Sequence, residues 1–243
     1  ANLDYRNTAG QLGNALLQLL AIVIGGSLLD FVADLLHASL DGFGFTGAVE
    51  FEYDYDSNPA VAVHDLEDIK AFVDSGVKKI LVSSPHCYHT FKNEYPEFMV
   101  HFEVVHVAQL LAQLIDEGRL VFSGEYSRKV VYHDPCYLGR HNGVYDEPRR
   151  VLAQIPGLTL VELPESRETS LCCGGGGGRI WMETVKGERF SDLRVAQAAE
   201  TGAEVLATAC PYCIANFEDS RLALKDENAP EVKDITEIVA EAL

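Results

Sequence analysis

Five of the six cysteines crowd the second half of the chain: Cys136, the adjacent pair Cys172-Cys173, and Cys210 with Cys213 in a Cys-Pro-Tyr-Cys step. Their spacing is C-x35-CC-x36-C-x2-C. Thiolates are nucleophiles, redox groups and soft metal ligands, and clustering of this kind reads as metal binding or redox catalysis. A disulfide framework is the weaker reading, because such frameworks belong mainly to small secreted domains and no signal peptide is recognisable at Ala1. A Cys-x-x-Cys pair that opens a helix places both sulfurs near the positive end of the helix dipole, and Pro211 is tolerated in a first helical turn. Cys172-Cys173 is followed by five glycines, Gly174 to Gly178. That loop has no side chains to hold a bulky inorganic group away, and its N–H groups, those of Gly174 and Gly175 first, can point at sulfur or at an anionic substrate. A plain flexible linker is the competing reading.

Other candidates surround the thiols. His133, Tyr137 and His141 lie near Cys136 and can donate hydrogen bonds to sulfur or protonate a leaving thiolate; packing around a loop is the alternative. Arg140 and Arg179 can bind a substrate carboxylate or offset the negative charge of a metal–thiolate group. Trp181 reads as core, and His101 and His106 read as structural. His86 and Cys87 form an incomplete set, since a zinc site takes about four ligands.

The elements that must bring these residues together follow a regular pattern. Short β-branched runs at Lys79–Ser83, Glu103–His106, Lys129–His133, Leu158–Glu162 and Glu204–Thr208 alternate with helical spacing at Val107–Glu117, Glu147–Ala153, Asp192–Thr201, Pro211–Leu222 and Asp234–Ala242. This predicts an α/β fold of mainly parallel strands with flanking helices. Cys87, Cys136 and Cys210 each follow a strand, and open α/β sheets collect ligands at the carboxyl ends of their strands. Ser84-Pro85-His86-Cys87-Tyr88-His89-Thr90-Phe91 aligns with Cys210-Pro211-Tyr212-Cys213-Ile214-Ala215-Asn216-Phe217. We therefore expect two related halves, 1–125 and 126–243, with Ser84 in the first where Cys210 stands in the second. Residues 11–40 have helical spacing, 41–63 suggest a hairpin or surface excursion, and Leu66–Val73 reads as a helix.

Composition bounds the function. The 243 residues, 47% of them apolar, suffice for a hydrophobic core. With 37 acidic against 19 basic residues the formal charge is -18, which repels nucleic acid and anionic membrane surfaces. A soluble acidic protein, salt adaptation and docking on a basic redox partner all fit that charge. The apolar run 15–29 is shorter than the ~20 residues of a spanning helix and reads as a buried helix. The expected location is cytoplasmic, peripheral to a membrane at most through a partner.

The motifs His133-Asp134-Pro135-Cys136-Tyr137-Leu138-Gly139-Arg140, Cys172-Cys173-Gly174, Arg179-Ile180-Trp181-Met182-Glu183 and Cys210-Pro211-Tyr212-Cys213, with Lys92-Asn93-Glu94-Tyr95-Pro96, resemble the CCG (cysteine-rich) domain family of iron–sulfur oxidoreductases. The family includes the heterodisulfide reductase catalytic subunit and iron–sulfur subunits linked to glycolate or lactate oxidation and to electron-transfer flavoprotein. The resemblance covers roughly 78–222. It implies one noncubane 4Fe–4S cluster per chain, held by Cys136, Cys172, Cys173, Cys210 and Cys213 beside Gly174 and Gly175. It implies an oxidoreductase role with Cys172, Cys173, His133 and His141 at the chemistry, a small thiol, disulfide or quinone as substrate, and ferredoxin-type, flavoprotein or quinone-linked membrane partners. Complete family members carry two motifs, and here the first has lost its upstream cysteines and its leading thiolate. That gap fits either a C-terminal portion of a longer polypeptide or a lost first site. A non-catalytic electron-transfer or assembly module, and a zinc-stabilised α/β domain, are the alternatives. Cys172→Ser or Cys210→Ser is expected to abolish iron binding while Cys87→Ser leaves iron content nearly unchanged. Equal loss from all three, measured by iron analysis after anaerobic reconstitution, would show that the first half still supplies a ligand.

Overall fold

The computed structural model describes residues 69–243 apart from 177, 178, 180, 181, 183, 186, 187 and 225–227. The expected elements at 11–40 and 41–63, the start of the Leu66–Val73 helix, and Trp181 lie outside the described residues. The chain divides into two compact units, the first ending at Val107 and the second running from Ala108 to Leu243.

In the first unit a helix described over 69–74 (α1) leads to strand β1 (Lys79–Val82) and helix α2 (Pro85–His89), then to strand β2 (Glu103–His106), which pairs with β1 in parallel. Both strands begin with a charged residue and continue in β-branched or leucine residues, β2 ending at His106, and β1 is buried beyond Lys79. Pro85 opens α2, where its missing N–H is no loss. The helix continues as a π turn, Thr90–Glu94, and a 3-10 turn, Tyr95–Phe98, that ends at Met99 with φ 60°. Phe91 supports this irregular stretch, with its ring edge-on to Phe72 and Tyr95 at 5.7 and 4.9 Å.

Helix α3 (Val107–Asp116) follows β2 directly. The second unit then contains β3 (Lys129–Tyr132), α4 (Asp146–Ala153), β4 (Thr159–Val161), α5 (Phe190–Glu200), β5 (Val205–Thr208), α6 (Pro211–Leu224), β6 (Glu231–Asp234) and α7 (Ile235–Glu241). All strand pairs are parallel, in the order β4-β3-β5-β6. The α/β class, the parallel pairing and the cysteines beyond strand ends all agree with the sequence reading. The crossover from β3 leads outward to β4 and that from β5 leads outward to β6. The two central strands thus part at a topological switch point, where ligand sites of open α/β sheets form.

Alternation along β3 sends neighbouring side chains to opposite faces. Tyr132 lies under the guanidinium of Arg149 on α4, 5.4 Å away. His133, the next residue, packs edge-on against Phe217 of α6, with ring centroids 4.8 Å apart. On that second face Val131, Val195, Ala198, Leu206, Phe217 and Val232 form one buried cluster with Cys173, Cys210 and Cys213. Helix α7 starts on a capping box: Asp234 accepts from the Thr236 N–H, and Glu237 accepts from the Asp234 N–H.

Local structure around the two aligned stretches is also alike: after each of β1 and β5 come a two-residue step and a Pro-led helix, and later a second parallel strand that runs straight into another helix. Val82 is opposite His106 in one, and Thr208 is opposite Asp234 in the other. Strand β6 was not legible in the sequence. It is an edge strand of four residues, EVKD, three of them charged, with Val232 and Asp234 as its buried positions.

A buried ion pair fixes the loop after β3. Arg149 donates to both Asp134 oxygens, at 2.6 and 2.9 Å, and to Glu162 at 2.6 and 2.8 Å; Arg149 and Asp134 are 8% and 3% exposed. Removing one partner strands a buried charge, so Arg149→Met is expected to cost about 3–5 kcal/mol in urea unfolding. Tyr132→Phe should cost nothing, because the Tyr132 hydroxyl is buried without a hydrogen-bond partner.

Candidate metal centre

Three segments converge beyond the carboxyl ends of β3 and β5. The first is the loop His133-Asp134-Pro135-Cys136. Its backbone is held to the sheet by the His133 N–H on Ala207 O (2.8 Å) and by Thr208 Oγ1 donating to His133 O (3.3 Å). The second is the start of α6, where Cys210 precedes Pro211 and Cys213 falls on the helix face shared with Asn216, Phe217 and Ser220, all buried. The third is Cys172-Cys173, clamped by Asn216 Nδ2 on Cys173 O at 2.5 Å.

The five sulfurs form a continuous chain. Cys172 Sγ lies 3.9 Å from Cys136 Sγ. Cys173 is within hydrogen-bonding reach of Cys172 and Cys213, and Cys213 of Cys210. No cysteine is in a disulfide. Two thiolates on one tetrahedral metal, each about 2.3 Å from it, lie about 3.8 Å apart, and the Cys136–Cys172 separation matches that span. The backbone N–H groups of Gly174 and Gly175 point at Cys172 Sγ (3.3 Å) and Cys173 Sγ (3.5 Å). A Cβ on Gly175 would sit 3.7 Å from Cys173 Sγ, so the loop approaches the sulfurs closely. Cys87, in the first unit, is buried on α2.

Electrostatics shows why this set suits a cation. The Cys136 hydrogen bond, followed by that of Cys173, holds the Cys172 thiol down to about 2. The others pay for that single thiolate. Their contacts with neighbouring sulfurs, and then burial, push up Cys136 and Cys213, and Cys173 rises to about 12. Packed together, the thiols oppose one another's ionisation; a bound cation removes that opposition. The donor set therefore fits a multinuclear thiolate centre, and five sulfurs exceed the four places of a zinc shell.

His133 is fully buried and brings a ring nitrogen within 4.8 Å of the sulfurs of Cys173 and Cys213. Burial first, then the Arg194 guanidinium, lower its pKa to about 3, so it is neutral. His141 is exposed, with its ring against Tyr137 at 4.5 Å. Arg140 donates to Ser170 O at 2.7 Å. Arg179 lies over the Phe190 ring at 5.5 Å, in a cleft beside Cys173 that Met182, Arg189 and Asn216 also line. His106 is buried, its Nε2 3.0 Å from Ser83 O, while His101 is exposed.

Two contributors escaped the sequence reading. Asn216 was visible as a polar residue in the Cys213/Phe217/Ser220 stripe. Arg194 shares the sheet-facing stripe of α5 with Val195 and Ala198, and a cation in an apolar stripe was the available signal.

Residues 130–218 match the profile of the cysteine-rich domain family CCG. Over those residues the chain is similar to a CCG domain. It is 41% identical over 177 residues to the probable iron-sulfur-binding oxidoreductase FadF of Bacillus subtilis, covering 73% of this chain and 25% of that protein. It is 39% identical over 184 residues to the EtfAB:quinone oxidoreductase of Syntrophomonas wolfei, covering 73% and 26%. It is 40% identical over 179 residues to one of the subunits of the dihydromethanophenazine:CoB–CoM heterodisulfide reductase of Methanosarcina barkeri, covering 72% and 43%. The chain thus spans between a quarter and under half of these relatives' lengths. Among the described residues no helix is long and apolar enough to cross a membrane.

The CCG glycine is under direct steric demand. Gly174 has φ +82°, and a Cβ there would meet Phe190 Cβ at 3.0 Å. Gly174→Ala is expected to cost about 1–2 kcal/mol for the left-handed backbone and to lower iron occupancy after reconstitution, whereas Gly176→Ala, with open space around it, should keep full occupancy.

Proposed function

We propose that this chain is an iron–sulfur redox subunit of the heterodisulfide-reductase-like type. Cys136, Cys172, Cys173, Cys210 and Cys213 would hold one 4Fe–4S cluster of noncubane form. The observation that carries this reading is the unbroken chain of five unbridged sulfurs drawn from three segments at the switch point of a parallel sheet. The cluster, when bound, supplies one-electron chemistry that side chains alone do not.

The chain's own residues do the rest. Gly174 and Gly175 donate backbone N–H groups to sulfur and so disperse its negative charge. The Asp134–Arg149 pair and the bond from Asn216 to Cys173 O hold two of the three segments in place. The cleft beside Cys173 gives a small acceptor a path to the sulfurs, and Arg179 and Arg189 favour one that bears an anionic group. His133, neutral and buried, can offer only a hydrogen bond from within, and His141, on the exposed side, is the candidate proton donor. The names of the relatives point to a disulfide or a quinone as the electron acceptor and to flavoprotein or other redox partners. Because those relatives are much longer, further redox centres would come from partner domains or subunits, and a peripheral place at a membrane would come the same way. We read 1–125 and 126–243 as related halves, the first degenerate at its site, where Ser84 stands for the leading thiolate.

Anaerobic reconstitution tests the reading. One cluster per chain, with about four iron and four sulfide, and an EPR signal in one redox state are expected. Zinc bound in place of iron, or no metal, would overturn it. Oxidation of the reduced cluster by a small anionic disulfide, compared with a soluble quinone, identifies the acceptor. A cluster that exchanges electrons with a reductant yet reduces neither acceptor would instead favour the non-catalytic electron-transfer module.

A further inference from the structure

Arg194 is wholly buried on α5, yet it makes no buried carboxylate pair of the Arg149 kind. Its four contacts run elsewhere. Nε donates to His133 Nδ1 at 3.2 Å, Nη1 to Gln197 Oε1 at 2.9 Å, and Nη2 to Glu165 O at 2.8 Å and to Ser170 Oγ at 3.0 Å. A guanidinium has donors only. The Nδ1 atom facing it must therefore be a bare lone pair, which leaves the single ring proton of a neutral imidazole on Nε2. His133 Nε2 is in turn buried with no hydrogen-bond partner, and the ring is clamped edge-on by Phe217. The same ring approaches the sulfurs of Cys173 and Cys213 to within 4.8 Å.

We infer that Arg194 is a positioning residue that locks His133 as its Nε2–H tautomer, so that His133 donates a hydrogen bond to the sulfur set and does not ligate the metal. This rests on the iron–sulfur reading above and adds to it the control of the centre's potential. A histidine ligand offers a lone pair and passes its other N–H to an acceptor. Here the second nitrogen receives a proton donor instead, the reverse of that arrangement. The orphaned Nε2–H and the buried arginine then have one explanation. A donor on sulfur disperses negative charge and favours the reduced state, so its loss lowers the reduction potential.

The test uses the whole chain, reconstituted anaerobically. His133→Leu and Arg194→Met are expected to keep full iron content and to shift the reduction potential downward. The double variant should shift no further than His133→Leu alone, since the two residues act as one unit. His133→Gln places an amide N–H where Nε2–H stood, and should stay close to the original potential. Pulsed EPR should show an exchangeable proton coupling that disappears in His133→Leu. Loss of iron in His133→Leu would make the histidine a ligand and overturn the inference, as would an unchanged potential in both single variants. Should Arg194→Met fail to fold, nitrogen-15 NMR of the unsubstituted chain decides by itself: an Nδ1–H or doubly protonated His133 ring sinks the proposal. The same spectrum of the metal-free chain separates the two readings. If no iron binds, the redox assignment falls while the tautomer is still read.

Discussion

Buried sulfur dislikes its own company. Hydrogen bonds from Cys136 and Cys173 favour the thiolate of Cys172, and the same crowding pushes Cys136, Cys173 and Cys213 toward their protonated forms. Five such groups in a protein interior are an unmet demand for positive charge. Much of the second unit can be understood as what is needed to hold that demand in place until a cation meets it. The strands set the rim, the glycines let the backbone come close, and a buried arginine–carboxylate pair keeps the first loop from relaxing away.

Parallel pairing does the geometric work. Because β3 and β5 are neighbours that run the same way, the residues just past their ends emerge on one rim, and Cys136 and Cys210 feel each other's charge although they lie far apart in the chain. The outward crossovers leave the space between them open. The CC pair comes from the long connection between β4 and α5, which lies outside the ladder, so that segment needs its own clamp. Asn216 supplies it, from the same helix face that carries Cys213.

The sequence disclosed the ladder of strands and the thiol set because both are written in strong local signals: β-branched runs for one, unusual spacing for the other. It hid β6, whose alternation is only four residues long, with three of the four charged. It hid Arg194 for a different reason. An arginine in an amphipathic helix is ordinarily solvated, and only the tertiary placement of His133 shows that this one has a buried acceptor to serve. The eight-position likeness between Ser84–Phe91 and Cys210–Phe217 understated the repeat, since the later strands, Glu103–His106 and Glu231–Asp234, share their pairing more than their residues. In the first unit Pro96 and the π turn interrupt what is an unbroken helix in the second.

If the three segments hold one inorganic group as proposed, they also tie that cofactor to the protein's lifetime. An inorganic group bonded to all of them is a cross-link that closes two long loops of the chain, and its binding energy becomes folding energy. Oxygen damage to such a group would be a structural injury as well as a chemical one.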